Sequence, residues 1–355
     1  MRIAIVLALA VLVACGSRET ASPSQTPPPP PLPDPTPPAP ARAQVELHEW
    51  GLVDVDPAGR GDVRAGPFAR VPMVSRKPVL YAHLLGDGPV TLAVGVRLPA
   101  GTFVEHWPPA QVTGSSLSWA DIRVRQGACP TAAEPARDLA RACDAPDGVC
   151  EVDELERYAT EDHDCMSVGG ADTGLLFYRA RLASAELPLR VVRNADLSLS
   201  VSATRSTAGA PGAMLRLSTA LSGPWPPGRV VISRARAPGQ GQTLSMAVGT
   251  EIVDAAAERE RLGQDLATLG MTTSEARAFL EAWADELFTE GATRGPSRER
   301  RMPAPTPQDV LLYWLPPDAV DATSVVATEP RATLKRAFLV RVNLGAVSTA
   351  APSPP

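Results

Sequence analysis

The chain holds four histidines, and two of them form pairs with a neighbouring glutamate, His48-Glu49 and Glu105-His106. Imidazoles and carboxylates from adjacent strands can together ligate a divalent metal that activates water. Neighbours in a strand point to opposite faces, so only one member of each pair can face a shared site. The competing structural reading makes them edge residues, hydrogen-bonded beside Trp50 and Trp107. Trp50, Trp107 and Trp119 also offer stacking surfaces for sugar or peptide, although aromatics in a sandwich more often fill its core. Other chemistry is sparse. The sequence has no G-x-S-x-G elbow, no Walker loop and no G-x-G-x-x-G after a strand, which argues against the usual hydrolase and nucleotide readings. Lys77 and Lys335 are its only lysines, so Ser–Lys catalysis has few candidates.

Four cysteines, Cys129, Cys143, Cys150 and Cys165, fall inside one short stretch. Two disulfides are expected there, from three possible pairings. The favoured pairing is Cys129–Cys143 with Cys150–Cys165, because each closes a compact local loop. Zinc fits this stretch poorly: no C-x₂-C pair occurs and His163 is the sole nearby histidine. Asp147, Gly148 and Glu154 have the spacing of positions five, six and twelve of an EF-hand loop. Positions one and three would then be Cys143 and Ala145, which lack the required oxygens. A calcium site on Asp147 and Glu154 is thus the alternative to a disulfide-braced acidic surface loop.

The elements that must carry these residues read as mainly β. Val45, Leu47, Val53 and Val55 share one parity, with Glu46, His48 and Asp54 on the other. Alternating or apolar runs recur at Pro78 to Tyr81, Val90 to Leu98, Thr102 to Trp107, Leu117 to Val124 and Gly174 to Leu182. More follow at Leu187 to Arg193, Leu197 to Ala203, Arg229 to Ala235, Gln242 to Val248, Val310 to Leu315 and Leu334 to Val342. Gly86-Asp87-Gly88 reads as a hairpin turn between two such runs. One helical island interrupts them at 254–289. Leu262, Leu266 and Leu269 recur at helical spacing, Gly270 is placed as a left-handed stop, and Thr272 with Glu275 forms a capping box. The second helix puts Ala276, Phe279, Leu280, Trp283, Leu287 and Phe288 on one face. The expected fold is sandwich-like, with one helical hairpin, α+β overall. It divides into a β domain at 44–205, carrying the insertion 129–165, and a second at 206–347.

Compartment is written at the amino terminus. Arg2 precedes an apolar run from Ile3 to Ala14 that ends in Leu12-Val13-Ala14-Cys15. The run falls short of the roughly 20 residues of a spanning helix, and it has the layout of a secretory signal at 1–14. Its end resembles a bacterial lipobox, which makes Cys15 a lipidated first residue. Gly16 in place of an aspartate favours, by the same resemblance, the outer membrane. Residues 15–43 are dense in proline and read as an extended tether, able to hold the body up to ~60 Å from the membrane at ~3.1 Å per residue. Residues 348–355 read as a frayed tail. Lys+Arg 34 against Asp+Glu 39 gives a net charge of −5, so there is no basic field for nucleic acid.

His48-Glu49-Trp50-Gly51, followed by Lys77-Pro78-Val79-Leu80-Tyr81, Pro99-Ala100-Gly101 and Glu105-His106-Trp107-Pro108, resembles a family of secreted proteins common in myxobacteria and planctomycetes. Its members begin with a HEWGTFT-type motif. Leu176-Phe177-Tyr178-Arg179, the helix around Trp283, Val310 to Pro316 and Arg336 to Val342 match as well. The resemblance implies compartment and architecture but no mechanism. The chain departs from the family where Leu52-Val53 replaces Thr-Phe and where His106 replaces a tryptophan, which weakens His106 as a family-wide ligand.

Together these readings predict an outer-membrane lipoprotein, held by its lipid, that acts as a non-enzymatic envelope module binding protein or glycan, or plays a structural role. No cofactor is expected under that reading. The alternative is a metal-dependent hydrolase using His48, Glu49, Glu105 and His106, with zinc or another divalent metal.

Overall fold

The computed structural model describes residues 45–55, 73–129, 155, 158–182, 187–218, 229–249, 251–288 and 309–344. The signal, Cys15, the tether, Cys143, Asp147, Cys150, Glu154 and the tail lie outside the described residues. The chain begins with β1 (Val45–Val55), β2 (Met73–Leu84), β3 (Val90–Arg97), β4 (Gly101–Trp107), β5 (Gln111–Thr113) and β6 (Ser116–Arg125). Then come β7 (Cys165–Val168), β8 (Ala171–Thr173), β9 (Leu176–Leu182), β10 (Leu189–Arg193), β11 (Leu199–Ala203) and β12 (Met214–Ser218). β13 (Arg229–Ala235), β14 (Thr243–Met246) and β15 (Glu251–Asp254) lead into helices α1 (Ala255–Thr268) and α2 (Thr273–Phe288). The last elements are β16 (Asp309–Trp314), α3 (Pro317–Thr323), β17 (Val325–Glu329) and β18 (Thr333–Asn343).

Nine strands form a central sheet in the order β15-β13-β12-β16-β18-β1-β2-β9-β4. Within it β1 and β18 pair in parallel. The sheet draws strands from both sides of residue 205, so the expected division into domains 44–205 and 206–347 is corrected: the two halves share one hydrogen-bonded sheet. The sandwich and the helical hairpin are both present. One face of the central sheet packs on a six-stranded sheet, β17-β3-β6-β7-β8 with β5 on β6, and on a three-stranded sheet, β10-β11-β14. That interface joins Leu47, Leu80, Tyr178, Phe338 and Val340 to Val94, Trp119, Ile122 and Val201. The opposite face joins Trp50, Tyr81, Leu217, Leu312 and Leu339 to Leu266, Phe279 and Trp283 of the helices. Each such large apolar side chain contributes about 1.5–3 kcal/mol on burial. A strand covered on both faces loses its alternation, and β16 is accordingly buried at every position. No described helix is long and apolar enough to cross a membrane.

Two local readings need correction. The Gly86-Asp87-Gly88 turn is not a hairpin, because β1 and β9 occupy both edges of β2, and the chain crosses there to the six-stranded sheet. The disulfide is Cys129–Cys165, which replaces both favoured pairs. Its cause is strand pairing: Arg125 at the end of β6 stands opposite Cys165 at the start of β7. The Cys165 amide then donates to the Gly127 carbonyl at 2.9 Å. The bond closes the base of the insertion instead of a loop within it.

The helical hairpin forms as its residues dictate. Asp254 caps α1 by accepting from the Ala256 amide at 2.9 Å. Gly270, at φ +88°, ends it. The Met271 amide donates to the Leu266 carbonyl and the Gly270 amide to that of Ala267, both at 3.0 Å, which is the paired bonding of a left-handed helix stop. α2 starts on the expected capping box, with the Glu275 amide donating to Thr272 Oγ1 at 3.2 Å and the Thr272 amide to Glu275 Oε2 at 2.8 Å.

Candidate functional site

β1 carries His48, Glu49, Trp50 and Gly51, and each residue does something different. Trp50 packs edge-on against Phe279 of α2. Gly51 lies opposite Phe338 of β18, and a Cβ there would come within 2.9 Å of the phenylalanine ring. His48 and Glu49 point to opposite faces of the sheet.

On the helix face, register sets Glu46 opposite His83 and His48 opposite Tyr81. The start of α2 lowers Glu275 onto this pair. His83 Nε2 donates to Glu275 Oε1 at 2.8 Å, and His48 Nδ1 faces both carboxylate oxygens at 2.8 and 3.0 Å. The two imidazole rings lie 4.2 Å apart between centroids. His48 Nε2 donates to Glu46 Oε1 at 2.8 Å, and Lys335 Nζ reaches the same oxygen at 2.6 Å. Gly270 makes that reach possible, since a Cβ on it would sit 2.7 Å from the lysine stem. Around this cluster, Tyr81 donates to the Tyr158 carbonyl at 2.5 Å, and Asp162 accepts from the Ser274 hydroxyl.

Electrostatics follow from this packing. Burial would raise the Glu275 carboxyl, but the bonds from His48 and His83 override it and hold the group down to about 2. Burial would likewise lower His48, and its bonds to Glu275 and Glu46 override that and raise it. Both His48 nitrogens face carboxylates, which only accept when ionised, so the ring is an imidazolium in this arrangement. One donor atom from each of His48, His83 and Glu275 lies within 4.8 Å of the other two, a grouping suited to a metal ion.

On the other face, Glu49 Oε2 accepts from Arg336 Nε at 2.5 Å and Oε1 from the Tyr178 hydroxyl at 2.7 Å. Arg336 also donates to Asp321 Oδ1 and to the Ser324 carbonyl, both at 2.8 Å, beside α3. Burial would lower the guanidinium, and Glu49 raises it instead. This is a sealed ion pair.

The expected metal set of His48, Glu49, Glu105 and His106 is therefore corrected. β2 and β9 stand between β1 and β4, which sets the two pairs roughly 14 Å apart at ~4.8 Å per strand. Glu105 is fully buried, 3.8 Å from Arg179, its partner on β9. His106 faces the opposite side, opposite Tyr178, where burial lowers its pKa. Of the three tryptophans weighed for stacking, Trp50 and Trp119 are core, and Trp107 packs partly buried against the helix-side core. Sequence reasoning kept His48 and missed both of its companions. The one signal that points to His83 is its parity with Tyr81 and Val79; Glu275 was read only as a helix cap.

A separate recess opens where β16 leaves the central sheet. Loops 206–213 and 236–242 wall a cavity of about 950 Å³ with Tyr313 and Trp314 among its lining residues. Trp314 Nε1 donates to Asp265 Oδ2 at 3.0 Å. Gly212, at φ +72°, lets the loop pass over that carboxylate, because a Cβ would lie 2.5 Å from it. The Tyr313 hydroxyl is buried and has no hydrogen-bond partner among the described residues. Burial pushes its pKa up.

No protein-family model matches the chain, and no curated protein matches it.

Proposed function

We propose that the protein is an outer-membrane lipoprotein acting as a non-enzymatic binding module of the bacterial envelope, with the cavity beside Tyr313 as its ligand site. The observation that carries this reading is the 950 Å³ cavity, whose lining combines apolar surface with neutral polar side chains. Ligand sites of this size are concave and largely apolar, with a few placed polar groups. Here Met214, Leu244 and Trp314 supply apolar surface, while Thr207, Gln242 and Thr243 supply neutral hydroxyl and amide groups. Among the described lining residues Arg236 is the only charged one. Such a lining suits an uncharged, hydroxyl-rich ligand, a glycan segment, whose oxygens would pair with Thr207, Gln242 and Thr243. The lipobox at Cys15 and the proline-rich tether support presentation of this site at a distance from the membrane.

The test is saturation-transfer NMR on the full chain in detergent with neutral oligosaccharides released from bacterial envelopes. The proposal expects transfer to sugar protons that is lost in Gln242→Ala and weakened in Thr243→Ala. Transfer that is equal in wild type and both variants, or absent from every oligosaccharide, contradicts it.

A further inference from the structure

The geometry points to a site for one divalent first-row transition metal, zinc by its ligand chemistry, held by His48 Nδ1, His83 Nε2 and the Glu275 carboxylate. Two imidazoles and a carboxylate form a donor set for Zn, Fe, Mn, Ni or Cu, not for Ca or Mg, which favour oxygen alone. Three protein ligands with a fourth position left to water is also the pattern of open zinc sites.

Three features make this more than a chance meeting of polar residues. The donors come from three separate elements, β1, β2 and the first turn of α2, and their nitrogens already lie 2.8 and 3.0 Å from Glu275 oxygens. Around a tetrahedral zinc with ligand bonds of about 2.0–2.1 Å, donors sit roughly 3.3 Å apart, so a few tenths of an ångström of opening admits the ion. Next, Glu46 accepts from His48 Nε2. An outer carboxylate on the far nitrogen fixes the ring and leaves Nδ1 as the ligand atom, the usual support of a metal-bound histidine. Lys335 holds Glu46 in turn. Finally, charge leaves room for a cation. With neutral imidazoles, Glu46 and Glu275 face a single lysine, and the cluster carries −1. His83 and Glu46 keep side-chain exposures of 15% and 14%, which gives an ion a route in.

Binding balances simply. The imidazolium of His48 releases its Nδ1 proton to solvent, a neutral His83 moves its proton from Nε2 to Nδ1, and the divalent ion takes the place between the three donors. Glu275 keeps its Oε2 bond to the Thr272 amide. The ion would therefore clamp the start of α2 to the central sheet.

The experiment uses the full chain in detergent, stripped with a chelator and then titrated with zinc against a chromophoric competitor. Wild type should bind one equivalent. His83→Gln removes the most exposed of the three ligands, so it should weaken binding at least a hundredfold while circular dichroism stays unchanged. Glu46→Gln should weaken it about tenfold to a hundredfold, the usual effect of an outer partner. His106→Gln should bind as wild type. The absence of stoichiometric zinc in wild type at micromolar free metal overturns the assignment, as does undiminished binding by a folded His83→Gln chain. If His83→Gln fails to fold, cobalt loading of wild type decides. Visible bands of a four- or five-coordinate ion support the site, and the spectrum of aqueous cobalt overturns it. Neither result bears on the cavity beside Tyr313, which shares no residue with this cluster.

Discussion

His48 and Glu49 are neighbours on one strand, yet they live in opposite electrostatic regimes. Glu49 meets Arg336, a cation that stays charged at any ordinary pH, and Tyr178 takes its other oxygen. That cluster is complete without any added ion. His48 meets two carboxylates, Glu46 and Glu275, and Lys335 is the permanent cation that pairs with Glu46. A proton on His48 brings this cluster to neutrality, and a divalent metal in the proton's place takes it to +1. The contrast shows how one strand with both faces buried separates structural charge from adjustable charge by a single step in register.

The largest expected effect lies on the Glu49 side. Glu49→Gln leaves buried Arg336 without its buried carboxylate and paired with the exposed Asp321, and breaking a buried pair in this way costs about 3–5 kcal/mol. Denaturant unfolding should register that loss, while zinc stoichiometry stays at wild-type level. Glu275→Gln should cost less, about 1–3 kcal/mol for the lost bonds to a buried polar group, but it should abolish zinc binding. If the two variants swapped these signatures, the division of roles between the faces would be wrong.

Dependence on pH sharpens the comparison without mutation. In chelator, the lowered Glu275 contributes stability that is complete above its ordinary value of 4.5 and fades as pH falls toward 2. The raised His48 contributes stability that is complete below its ordinary 6.5 and is lost as pH climbs through its higher folded value. Glu46, Lys335, Asp162 and His163 face the cluster from the neighbouring elements. Urea midpoints of the stripped chain should fall on the alkaline side, and saturating zinc should reverse that fall, because metal needs the deprotonated nitrogen. A midpoint that falls equally with and without zinc would break the link between His48 and the metal. The smallest effect belongs to Tyr313, which sits on the same sheet face as Glu49. Tyr313→Phe removes a buried hydroxyl without a described partner, so unfolding should show stability unchanged or raised by up to about 1 kcal/mol.

Much of this arrangement is legible in the sequence, and the part that is not has a physical reason. Local signals worked: Asp254, Gly270 and the Thr272–Glu275 box mark the helix ends, and the parity of Val45, Leu47, Val53 and Val55 assigns the faces of β1. Long-range pairing did not show. His48 and Glu275 are 227 positions apart, and Glu275 was fully explained by its local capping role, so nothing in its own neighbourhood announced a second one. His83 stands beside no carboxylate in sequence and gains Glu46 through the β1–β2 register and Glu275 through the packing of α2. The Gly86-Asp87-Gly88 turn has hairpin composition, but strand composition does not say which edges are already taken. The Cys129–Cys165 bond defeats a preference for short loops in the same way, since it is set by the β6–β7 pairing. The short strands β5, β7, β8, β15 and β17 and the seven-residue helix α3 are too brief to carry a period.

The most direct measurement is zinc-edge X-ray absorption on the full chain loaded with one equivalent of zinc. The account predicts first-shell nitrogen and oxygen at about 2.0–2.1 Å, with the outer-shell scattering of two imidazole rings that falls to one in His83→Gln. A shell of oxygen alone, a sulfur contribution, or ring scattering untouched by His83→Gln would contradict it.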